Sequence, residues 1–181
     1  PGMEGRLRTA VRAYKCLRPG RIGPFSGFGW PVGAWVEAED SELCLRGIHA
    51  CRTEDLPYWL TEELWEIELD GEVERQSRKL VAGRGRLVHR IETWTPAVAG
   101  RFAEACAVRT EERAARTTGE HSGRLAELAG DAAANSAKGE SVLLGFIAAR
   151  AAEVDAGVDG YAEERRAQAR WLASELGLGA A

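Results

Sequence analysis

The densest grouping of chemically capable side chains is Cys44-Leu-Arg-Gly-Ile-His49-Ala-Cys51. On a strand, His49 and Cys51 stand two residues apart and project to one face. Cys44 lies five residues before His49, and Gly47 between them could bend the chain back. One imidazole and two thiolates make a zinc-type ligand set, to which Cys16 could add a fourth ligand. The spacing lacks the Cys-x-x-Cys knuckle of common zinc sites. Free cysteine is also among the most buried residue types, so small buried thiols are the competing expectation. His49 and Cys51 could alternatively act as base and nucleophile.

Two further groupings could carry chemistry. The loop from Arg18 to Trp30 holds Arg18, Arg21, Ser26, Gly27 and Phe28. Two guanidiniums, a hydroxyl and unhindered glycine amides could cradle an anion. The competing expectation is a turn-rich loop whose aromatics plug a sheet, because a flexible linker would be polar. Glu66, Glu68, Asp70 and Glu72 alternate along the chain, which makes a solvated strand face or a pair of carboxylates for acid–base work. The signatures of zinc deaminases, serine hydrolases and dinucleotide-binding folds are absent from the sequence.

The elements that must position these residues are legible in outline. Val11 to Leu17 reads as a strand ended by Pro19-Gly20. Ala34 to Glu37 and Leu43 to Cys51 are strand-like, and Thr53 opens a short helix through Tyr58 and Leu60. Trp65 to Leu69 alternates apolar and acidic residues with period two. Asp70-Gly71 reads as a turn, and Lys79–Ala82 and Arg86–Ile91 as two strands around Gly83 and Gly85. Thr95-Pro96 is an N-cap followed by proline at the first helical position. The recurrence of Val98, Phe102 and Cys106 predicts a helix to Arg116. Further helices are expected over Gly123–Ala137, Glu140–Val154 and Gly160–Leu176. Val142, Phe146 and Ala149 are expected on a core face, as are Tyr161, Gln168, Leu172 and Leu176. The fold class is therefore α+β: an N-terminal antiparallel sheet over residues 3–94, then about four helices over 95–178, expected to make one folding unit.

Composition narrows the function classes. The 181 residues carry 28 acids and 24 bases, a formal net charge of -4, with 45% hydrophobic residues. That apolar fraction excludes a disordered chain. There are 15 acids and 14 bases before Thr95, and 13 and 10 from there on, so neither half is a general phosphate-backbone binder. The weakly polar run from Ser141 to Ala152 is broken by Gly145 and Arg150, so no membrane association is expected. The location expected is cytoplasmic, with thiols free. Five of six tryptophans precede residue 95, so the aromatic core is expected there, around Trp35, Trp65 and Leu69.

Tyr14-Lys15, Gly29 to Gly33, Cys44-x-x-Gly47-Ile-His49-Ala-Cys51, Trp65-x-Ile-x-Leu-Asp-Gly71 and Lys79 to Ala82 follow one another in this order. Residues 11–95 thereby resemble an uncharacterised domain family of phage and bacterial proteins with a Cys-x-x-Gly-Phe-His-x-Cys signature. Ile48 stands where that signature has phenylalanine, and the helical tail is similar to that of small actinobacterial proteins. The order of elements is also similar to mono-ADP-ribosyltransferase domains. That likeness implies NAD as substrate, a catalytic Glu66 or Glu68 with His49, and Tyr58 or Phe28 as the nicotinamide wall. Three expectations follow. The first is a small-ligand pocket organised by Cys44, His49 and Cys51 with the Arg18–Trp30 loop, with or without zinc. The second is an NAD-using transferase, and the third is a non-catalytic module for a protein partner.

Overall fold

The computed structural model describes residues 10–38 and 47–179. Cys44, and the Leu43–Arg46 part of the third expected strand, lie outside the described residues. The chain forms two compact units. One contains every strand, in the chain up to Arg52 and over Glu63–Ile91; the other joins Thr53–Glu62 to the chain from Glu92 onward.

In the first unit, β1 (Val11–Leu17), β2 (Trp35–Glu37), β3 (Ile48–Ala50), β4 (Glu63–Gln76) and β5 (Lys79–Arg90) form one antiparallel sheet. β4 and β5 are its long central hairpin, and β1 lies against β4 with Ala13 opposite Ile67. The other edge of β5 takes β2 at residues 84–86 and β3 at residues 80–82. Just past β3, Cys51 exchanges two backbone hydrogen bonds of 2.8 Å with Tyr14 of β1. The strands therefore close into a circuit, β1 to β4 to β5 to β3 and back to β1.

Period-two patterning fills the inside of this circuit. Trp65, Ile67 and Leu69 are buried, as expected, with Ala13, Leu17, Ile48, Ala50, Leu80, Ala82 and Leu87. Gly85 sits among them because nothing larger fits: a Cβ there would lie 3.1 Å from Ile48 Cγ2 and 3.2 Å from Ile67 Cδ1. Trp30 joins this core, with Phe28 edge-on at 5.5 Å. Trp35 does not. It lies half-buried outside the core, with the Arg84 and Arg86 guanidiniums 4.6 and 4.7 Å from its ring.

Two other expectations change. Asp70-Gly71 does not end the strand; β4 shifts register there and runs on to Gln76. Gly71, at φ 87°, supplies the left-handed residue that a bulge of this kind requires. Gly83 and Gly85 also interrupt nothing, and β5 is one strand.

The second unit is helical. A short 3-10 helix (Thr53–Tyr58) accompanies α1 (Pro96–Arg116), α2 (Ser122–Ser136) and α3 (Ser141–Leu176). Thr95 caps α1 by accepting the Val98 amide, and Val98, Phe102 and Cys106 are buried as the spacing predicts. α3 leaves helical geometry at Ala156 and Gly157. Its two arms, 141–155 and 158–176, fold back so that Gln168 Nε2 donates to the Gly145 carbonyl at 2.9 Å. These arms match the third and fourth expected helices. The buried stripe of the first arm is Leu144, Ile147, Ala148, Ala149 and Ala151, so Ala149 is buried as expected while Val142 and Phe146 are exposed. No helix of the described residues is long and apolar enough to cross a membrane.

Candidate functional site

The outer face of the sheet carries the charge. Because Ile67 and Leu69 point inward, Glu66, Glu68 and Asp70 point outward. Each meets a base on a neighbouring strand. Arg86 donates to Glu68 from Nε at 3.2 Å and Nη2 at 2.5 Å. Arg84 lies between Asp70 at 3.4 Å and Glu37 at 2.9 Å. Glu66 pairs with Arg12 at 3.6 Å and stands 4.0 Å from His89 Nε2. Glu66 Oε1 is screened from solvent yet accepts no hydrogen bond. The two glutamates are thus unlike: Glu68 is clamped, whereas Glu66 retains acceptor capacity.

Further along this face, between the ends of β2 and β3, opens a cleft of about 990 Å³. Gly47, Val81, Gly83, Arg84, Asp70 and Glu74 contribute to its lining, and its volume suits a small molecule. Gly47 has φ 106°, and a Cβ there would come within 2.6 Å of Val81 Cγ1. Glycine is therefore required where β3 begins, at the rim of the cleft.

His49 stands on β3 opposite Val81 and is exposed. Partial desolvation of its ring, and then the charges of Lys79 and Lys15, hold its pKa below the ordinary histidine value. Lys15 Nζ donates to the His49 carbonyl at 2.6 Å and lies 4.5 Å from the centre of the Trp30 ring. Cys51, by contrast, is buried, with its thiol donating to the Tyr14 carbonyl at 3.4 Å. Cys16 and Cys51 are both free, buried thiols. Among the described residues no group of three His, Cys, Asp or Glu side chains could hold a metal ion.

The Arg18–Trp30 loop is ordered from within. Arg18 and Ile22 exchange backbone hydrogen bonds, Gly23 donates to Phe28, and Ser26 Oγ accepts the Phe28 amide at 3.2 Å. Glu63 anchors the loop's base by accepting the Gly20 amide and the Trp65 indole N–H, each at 2.9 Å. Burial works against this carboxylate. The indole, the Gly20 amide, the charge of Arg90 and the Arg21 amide nevertheless hold its pKa below the usual range. Arg18 and Arg21 remain exposed. Phe28 and Trp30 pack into the core, on the side of β4 opposite Glu66 and Glu68, so loop and glutamates do not line a common cleft. Gly20, Arg21 and Gly27 are the loop's left-handed corners. Tyr58 belongs to the second unit, where its ring lies 4.4 Å from the Arg165 guanidinium.

Sequence reasoning missed Glu63, Lys15 and Lys79. Glu63 falls in phase with Trp65, Ile67 and Leu69, and an acid on the apolar phase of a strand signals a satisfied buried carboxylate. The lysines carry a compositional signal, since Lys15, Lys79 and Lys138 are the only three in an arginine-dominated chain.

No curated protein and no solved structure matches this chain. Residues 11–98, which take in all five strands, match a family model described as a domain of unknown function (DUF7666).

Proposed function

We propose that the sheet unit is a small-ligand-binding domain, with its site on the outer face from His49 across the cleft to Arg84 and Asp70. One observation carries this reading. Strand register brings Gly47, from the cysteine–histidine segment, against Val81 at the rim of the cleft on this face. The Arg18–Trp30 loop then acts at a distance, by seating Lys15 over Trp30 beneath the His49 carbonyl. The buried free thiols accord with a reducing compartment such as the cytoplasm.

The test is a nuclear magnetic resonance screen of small polar metabolites that follows the Gly71 and Gly83 amides. A Cβ at Gly83 meets nothing within 4 Å, so Gly83→Phe should fill the cleft without unfolding the sheet. Binding seen in the wild type should disappear in this variant. A broad panel that leaves both amides unmoved would overturn the reading.

A second reading, an NAD-using transferase, is favoured by Glu66 alone. Its Oε1, which accepts no hydrogen bond and has the Arg12 guanidinium 3.6 Å away, is the kind of carboxylate oxygen that could stabilise positive charge developing on a ribose. Calorimetry with NAD tests this reading. Turnover lost in Glu66→Gln but kept in Glu68→Gln would support it, and no heat with no nicotinamide release would remove it.

A further inference from the structure

Register fixes a short basic patch beside the cleft. His49 stands opposite Val81, and Lys79, two residues from Val81, shares that face of the β3–β5 pair. Diagonal neighbours of this kind lie roughly 7–8 Å apart, within reach of a long side chain. Lys15 arrives from β1, its ammonium already donating to the His49 carbonyl. Two of the chain's three lysines therefore flank one histidine. The carboxylate facing this patch from β4 is Glu74, opposite Val81, and it accepts a hydrogen bond from Gln76 at 3.4 Å. Among the described residues no ion pair holds Lys79.

We propose that His49 and Lys79 hold the anionic group, a phosphate or carboxylate, of the ligand that occupies the adjoining cleft. This rests on the binding reading above and adds the ligand's chemistry. The imidazole offers an N–H, the Lys79 ammonium offers charge and donors, and Lys15, committed to Trp30 and the His49 carbonyl, contributes its field. The remaining cleft repels a second anion, because Glu37, Asp70, Glu72 and Glu74 outnumber Arg84. The ligand is thus anionic at one end only. An anion seated there favours the protonated ring and opposes the influences that keep His49 neutral.

Inorganic phosphate is the probe, with the histidine ring resonances of the full chain followed against pH. Millimolar phosphate should raise the His49 midpoint by about 0.5–1 unit and leave His121 unmoved. Lys79→Ala should abolish the rise and Lys79→Arg should restore it, with the amide spectrum confirming the fold of each. A His49 midpoint indifferent to phosphate, or an equal rise in Lys79→Ala, overturns the proposal. If His49 ignores phosphate while the Gly71 and Gly83 amides respond to another ligand, only the anion assignment falls. If His49 responds but no ligand moves those amides, the wider cleft reading falls instead.

Discussion

The two units treat charge in opposite ways. The sheet unit keeps its core apolar and displays its acids and bases as cross-strand pairs on the outer face, where Glu68 meets Arg86 and Arg84 bridges Asp70 and Glu37. The helical unit has exposed pairs too, such as Arg124 with Glu127, but it also buries a polar network. Gln168, fully buried, donates to Glu164 and to the Gly145 carbonyl, and accepts from Arg165 at 3.0 Å; Arg109 closes the set on Glu164 at 3.0 Å. Exposed pairs can be exchanged for contacts with a ligand at little cost, whereas buried ones specify a single helix arrangement. The site proposed above accordingly lies among exchangeable pairs on the sheet, whereas the buried network holds the helices in one arrangement.

The comparison can be broken first at the sheet's core. Trp65→Ala should destabilise the sheet unit by about 3–5 kcal/mol, read by chemical denaturation. A loss below about 1 kcal/mol would put Trp65 on the surface and reverse the strand's polarity. Next comes the contrast in polar groups. Gln168→Ala leaves Glu164, Arg165 and the Gly145 carbonyl short of a partner and should cost about 2–4 kcal/mol. Glu68→Ala removes an exposed pair and should cost about 1 kcal/mol or less. Equal costs would erase the distinction between the units.

Glu63 is the exception that sharpens it, a buried carboxylate inside the sheet unit. Its pKa is lowered on folding, so its contribution is present above the unfolded-state value and is lost as pH falls through the folded one. Denaturation midpoints of wild type and Glu63→Gln should differ at neutral pH and converge on acidification. A constant gap across the acid range would mean that the loop's base does not depend on the charge of Glu63.

Much of this was legible before the structure. β1 spans the residues that its pattern predicts, the period-two run at Trp65–Leu69 has the expected polarity, and α1 begins at Thr95-Pro96 with its expected buried stripe. These succeed because period and capping are local physics. Failures came where one local signal serves two geometries. Asp70-Gly71 reads as a turn but is a bulge, since both need a left-handed glycine. Val142 and Phe146 are large and apolar yet exposed, because the fold-back at Ala156–Gly157 buries the neighbouring stripe of Leu144, Ile147 and alanines instead. At the candidate site, His49, Glu66 and Glu68 were visible from residue type. The convergence of Lys15 and Lys79 on His49 was not, because strand register alone creates it.

The mutual pairing of Tyr14 and Cys51 has a consequence for self-association. An open sheet ends in strands whose unpaired amides and carbonyls can template another chain. Here β1 and β3 satisfy one another, so neither presents a bare edge at that point. Backbone amides at the seam should exchange with solvent slowly for a position so near the end of the described chain. On the other side of the sheet β2, three residues long, adds only a short stretch of edge beside β5.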